Sequence, residues 1–108
     1  MEETIEKWNG MDATEIAKMT TAKIIDRTYK IVGLEFVFCG KTYNIIPRES
    51  NVNDDGWYYV DAGISGMSGR YAIQIGDNYN GGIHMIRCDR NIVDDINAKV
   101  SELLKTMD

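Results

Sequence analysis

Three patterns in a fixed order constrain this chain most. A capped helical opening comes first. A long run of alternating, turn-punctuated segments follows from about Leu34 to Cys88, and an amphipathic helix closes the chain. Side chains alternate faces with period 2 on a strand and near 3.6 on a helix, so a switch of period marks a switch of element. The order predicts a single α+β domain over 1–108. In it an antiparallel sheet of about five strands (34–88) is packed on one face by an N-terminal helix and a C-terminal amphipathic helix.

The opening has two helix starts. Glu2 to Asn9 reads as a short helix, with Ile5 and Trp8 one turn apart and Gly10 as its stop. Asp12-Ala13-Thr14-Glu15 reads as a capping-box variant with Asp12 as N-cap. Beyond it, Ala22, Ile25, Tyr29 and Val32 fall at helical spacing, with Gly33 placed to end the run. A strand over 23–32 competes, favoured by Thr20, Thr21 and Thr28 and by β-branched neighbours. The helix is the preferred expectation.

In the central run, Leu34, Phe36 and Phe38 alternate with Glu35, Val37 and Cys39, and Cys39-Gly40-Lys41-Thr42 reads as a hairpin turn. Thr42–Ile46, Trp57–Ala62, Arg70–Ile75 and Ile83–Cys88 read as further strands, and Asp77–Gly82 as a turn. The closing helix carries Ile92, Ile96, Val100, Leu103 and Met107 on one stripe, widened by Val93 and Leu104, with Asn91 or Asp89 as its cap.

Facing those helices, one sheet surface takes Leu34, Phe36, Phe38, Tyr71, Ile73 and Ile75. The other takes Glu35, Val37, Thr42, Asn44, Arg70, Ala72 and Gln74. The set Trp57, Tyr59 and Asp61 is more polar than Tyr58, Val60 and Ala62, and is expected to join the open face. For the last strand, either Ile83/Met85/Arg87 or His84/Ile86/Cys88 can face outward. Trp, Tyr and Arg are the usual anchors of protein interfaces.

Charge narrows the partners. The chain has net charge −5, which makes free nucleic acid a poor direct ligand, because affinity for phosphates comes from Lys and Arg. The charge is segregated: residues 1–16 hold five acids and one base, 17–48 six bases and two acids, and 49–61 four acids and no base. The stripe Lys23, Arg27 and Lys30 suits an acidic partner. No apolar run reaches the length needed to span a bilayer. Two cysteines are too few for a disulfide framework, so the cytoplasm is the expected compartment.

Chemical motifs are weak. His84, the sole histidine, has no nucleophile beside it, and Cys88 lies roughly 13 Å along the same strand at about 3.3 Å per residue. Asn51 to Gly56 resembles the first half of a calcium loop, but it begins with Asn and has Ala62 where the bidentate Glu belongs. Gly63 to Gly69 offers backbone amides for an anion without a Walker lysine. No metal, cofactor or catalytic residue is assigned.

The expectation is a small acidic protein, not an enzyme, that binds and inhibits or regulates another macromolecule, as phage counter-defence and immunity-type inhibitors do. A nucleic-acid-binding enzyme is one such target, since clustered carboxylates resemble phosphates electrostatically. The expected partner-binding residues are Trp57, Tyr59, Asp61, Asp54, Asp55, Glu49, Arg70 and Gln74. The first alternative is a small-molecule binder built on Gly66, Ser68, Arg70, Tyr71 and His84. The second is a homo-oligomeric assembly component.

Overall fold

A computed structural model describes residues 4–46, 49–61, 63–65, 71–77 and 81–107. Among these are nine strands in one mixed sheet and two helices, in a compact α+β globule with a radius of gyration of 13.6 Å. In chain order they are β1 (Thr4–Ile5), α1 (Ala13–Met19), β2 (Thr21–Asp26), β3 (Ile31–Phe38), β4 (Lys41–Ile46), β5 (Glu49–Val52), β6 (Tyr58–Asp61), β7 (Gly63–Ser65), β8 (Tyr71–Asp77), β9 (Gly82–Cys88) and α2 (Arg90–Lys105). The spatial order is β1-β9-β8-β4-β3-β6-β5, with β2 on β3 and β7 on β8.

The expected five-strand antiparallel sheet is corrected in two ways. More strands join it, and two pairings are parallel: β1 with β9, and β3 with β6 through Ile31 and Tyr58. Neither parallel pair is joined by a local turn, so neither leaves a short-range trace in the sequence.

The helix expected to reach Gly33 stops at Met19. Its start is as expected: the Glu15 amide donates to Asp12 Oδ1 at 2.9 Å. At its end the Thr20 amide donates to the Ile16 and Ala17 carbonyls, and the Thr20 hydroxyl also donates to Ile16 O at 2.7 Å. Lys99 of α2 adds its ammonium, which donates to the carbonyls of Ala17 and Thr20. A cation at a helix C-terminus satisfies orphan carbonyls and opposes the macrodipole. The chain beyond continues as β2, where Ala22 pairs with Leu34 and Ile24 with Val32 on the core side. The helical stripe through Ile25 and Tyr29 was coincidental, since both side chains are exposed.

Residues 4–11 form no helix. Asn9 and Gly10 have φ of 51° and 77°, and Trp8 and Met11 exchange both backbone hydrogen bonds across them, at 2.9 and 3.0 Å. That is the type I′ hairpin turn for which Asn-Gly is the preferred pair. The β3–β4 hairpin uses the same geometry, with Cys39 at φ 51° and Gly40 at 76°. A left-handed φ suits Asn better than Cys. Cys39→Asn is therefore expected to stabilise the protein by roughly 0.5 kcal/mol, seen as a higher urea midpoint with an unchanged slope. A lower midpoint would mean that the Cys39 side chain itself supports the turn.

Both helices cover the same sheet face. Ile92, Val93, Ile96 and Val100 of α2, and Ala13, Ile16 and Ala17 of α1, are buried against Val32, Leu34, Phe36, Ile45, Ile73, Ile75 and Ile86. Each large aliphatic side chain buried there contributes about 1.5–3 kcal/mol before entropy is counted. Of the two expected caps, Asp89 and not Asn91 takes the N-cap position of the closing helix, but its side chain makes no capping hydrogen bond. Trp8 closes one end of the core, with edge-to-face contacts to Tyr43, Phe38 and Phe36 at centroid distances of 4.8, 5.3 and 5.7 Å. No helix among the described residues is long and apolar enough to cross a membrane.

Candidate protein-docking face

The uncovered side of the sheet carries a strip of large apolar side chains at its β2–β3–β6–β5 end. Residues paired in register point to the same face. Ile31 pairs with Tyr58, and Tyr58 with Val52. Ile25 joins them from β2, because the register shift between Ile24 and Asp26 turns its side chain over Gly33. A Cβ at Gly33 would come within 2.7 Å of Ile25 Cγ1, so the glycine is what lets Ile25 lie flat on β3. Tyr29 stands at the tip of the β2–β3 turn. These five are large apolar residues left open to solvent: Tyr29 70%, Val52 54%, Ile25 53%, Tyr58 49% and Ile31 36% exposed. Contiguous exposed apolar surface of this kind marks interaction sites, whereas scattered single residues do not.

Two loops hold the strip in shape. In the 27–30 turn the Tyr29 amide donates to Asp26 Oδ1 at 2.9 Å. In the 53–57 loop Asn53 Oδ1 accepts from the amides of Asp55 (3.1 Å) and Trp57 (2.9 Å), an Asx turn. Lys30 joins the two loops: its ammonium donates to Asp55 O at 3.0 Å, and its carbonyl accepts from the Tyr58 amide at 2.7 Å. Asp54 and Asp55 remain exposed beside the strip and give it an acidic rim. The Asn53 side chain is thus committed to the turn and not directed at a cation. Among the described residues no group of His, Cys, Asp and Glu is arranged to hold a metal ion.

The structure reverses the expected phase of β6. Trp57 and Tyr59 pack against the core and Tyr58 faces solvent. The Asx turn sets this phase by fixing how many residues separate Val52 from Tyr58, a count that the polarity of the strand does not reveal. Gln74 does lie on the uncovered face, paired with Ile46, but two strands away from β3. Of Glu49 and Asp61 the backbone alone is described, and Arg70 lies outside the described residues.

The set proposed for a small ligand is not brought together among the described residues. Gly66, Ser68 and Arg70 lie outside them. His84 pairs with Ile75 and Tyr71 with Cys88, well separated along the β8–β9 ladder. His84 sits on the helix-covered side, its ring centroid 6.2 Å from that of Trp8. Burial, reinforced by the neighbouring charge of Asp89, pushes the Cys88 thiol up to about 11. Cys88 therefore stays a protonated thiol at neutral pH and is a poor nucleophile. Both cysteines are free, with Cys39 exposed on its turn.

Sequence reasoning missed Ile25, Tyr29, Ile31, Val52 and Tyr58. Polarity alternation does not mark them: Ile25 adjoins Ile24, Ile31 adjoins Val32, and Tyr58 lies between Trp57 and Tyr59, so the exposed and the core-facing residues are alike in character. No protein-family model, curated protein or solved structure matches this chain.

Proposed function

We propose that this chain is a binding protein that docks onto another protein through the Ile25–Ile31–Tyr58–Val52 strip and thereby inhibits or regulates it. The observation that carries this is the strip itself: Ile31, Tyr58 and Val52 side by side in register, Ile25 over Gly33 and Tyr29 at the adjoining turn, all exposed and braced by the Lys30 tie between two loops. A pre-formed face loses little entropy on binding, and a central tyrosine is a typical hot spot. The acidic rim of Asp54 and Asp55 suits a target with a basic surface, such as the nucleic-acid channel of an enzyme.

The test is capture of a partner from a host lysate with the tagged protein, followed by affinity measurements on the purified pair. Tyr58→Ala is expected to weaken binding about tenfold or more, because a truncated hot spot costs on the order of 2 kcal/mol, with the melting temperature nearly unchanged. Trp57→Ala should instead lower the melting temperature, since Trp57 packs on the core. Tyr58→Ala with full affinity would remove the strip as the docking face.

A further inference from the structure

We propose that the free edge of β2 accepts an extended, acidic segment of the partner, which adds to the sheet as a further strand. This rests on the protein-binding function and names how the partner is held.

Among the described residues β2 pairs with β3 alone, which leaves a row of backbone donors and acceptors along its other edge. Such an edge is a template for a strand from another chain. Two hollows of about 400 and 420 Å³ run along it and share Ala22 and Leu103. Their walls come from both sides of β2: Ala22 and Ile24 from the core side, Lys23 and Ile25 from the uncovered side. The space therefore lies beside the strand, where a neighbour at about 4.8 Å would sit. Ala98 and Leu103 of α2 roof the core side. An added strand would place alternate side chains beneath that apolar roof, and the others next to Ile25, in continuity with the strip.

Charge identifies the occupant. The walls hold three bases, Lys23, Arg27 and Lys99, against one acid, Glu102, in a chain of net charge −5. Lys99 is committed to the Ala17 and Thr20 carbonyls, and Glu102 lies 3.5 Å from Lys105. Lys23 meets Glu35 of β3 at 3.2 Å yet stays largely exposed, and it and Arg27 both border the hollow in which the added segment would lie. A second copy paired antiparallel through β2 would set these bases against their own counterparts, which destabilises a strand pair. An acidic segment with apolar residues at alternate positions meets both requirements.

The probe is a short synthetic peptide of alternating aspartate and valine, added to the whole protein and followed by amide hydrogen exchange and NMR shifts. Slower exchange at residues 21–24 is expected, with shift changes at Ala98 and Leu103. Lys23→Glu combined with Arg27→Glu should weaken binding at least about tenfold, since unlike charges guide an interface and like charges oppose it. A lysine–valine peptide should leave exchange unchanged. Unchanged exchange with the aspartate peptide would overturn the proposal, as would equal binding of both peptides or a protein that dimerises through β2. A captured partner that binds the charge-reversed protein as tightly as the wild type, yet is lost by Tyr58→Ala, would overturn strand addition while leaving the protein-binding function standing.

Discussion

Trp8→Ala is expected to lower the melting temperature by on the order of 20 °C, the largest loss from any single change considered. Trp8 is buried and meets Tyr43, Phe38 and Phe36 edge to face. Truncating a buried Trp costs about 3–5 kcal/mol, and each kcal/mol is worth about 4–8 °C in a domain of this size. The loss is also structural in kind. The neighbouring β1 is only two residues long and is held to β9 by two pairs, Thr4 with Met85 and Ile5 with Ile86. A salt bridge from Arg87 to Glu6 at 2.9 Å is exposed and adds little. Trp8 is therefore the anchor of the N-terminal segment, and its removal should release amide protection at residues 4–11 before the rest. Trp8→Phe should recover part of the loss. A fall of under about 5 °C for Trp8→Ala, read by circular dichroism, would show that the segment is held by something other than this ring cluster.

Lys99→Met is expected to cost about 2 kcal/mol although it makes the helix more apolar. The substitution keeps the length of the side chain and removes the donor to the Ala17 and Thr20 carbonyls. A hydrogen bond from a charged group contributes roughly 1.5–3 kcal/mol, and its loss leaves carbonyl oxygen at a buried helix end, Thr20 being almost wholly covered. The pH dependence gives a second readout. Burial draws the Lys99 ammonium below its usual value of 10.5, while the carboxylate of Asp95 draws it back up. In the alkaline window between the lowered folded value and 10.5 the unfolded chain therefore holds more protons at this position than the folded one. Stability attributable to Lys99 should rise with pH there, so the gap between wild type and Lys99→Met should widen. A gap that closes would mean that the carbonyl bonds outweigh desolvation and hold the proton on. Equal stability of the two proteins at neutral pH would show that α1 ends without help from α2.

Several elements were legible because their causes are local. The α2 stripe of Ile92, Ile96 and Val100 repeats at helical spacing whatever lies beneath it, and it is buried as expected. Asp12 caps α1 through an amide three residues away. The alternation of Leu34, Phe36 and Phe38 and the Cys39–Gly40 turn specify the β3–β4 hairpin from within about a dozen residues. Asn9-Gly10 was equally local and was misassigned as a helix stop, although Asn-Gly is the strongest short-range hairpin signal.

The docking face was not legible, because its members meet through distant pairings. Residues 22–32 carry a helical repeat and a strand repeat together. What selects the strand is the pairing of Ala22 and Ile24 with Leu34 and Val32, and the end of α1, closed locally by Thr20, also takes its ammonium donor from a lysine about 80 residues away. Tyr58 joins Ile31 only because β6 lies parallel beside β3. An amino-acid sequence specifies directly what neighbours along the chain do to each other: caps, turns and the period of burial. Which of two compatible periods prevails, and which side of a short strand meets water, depend on the free energy of contacts between segments far apart in the chain. Those contacts exist only once the sheet has assembled.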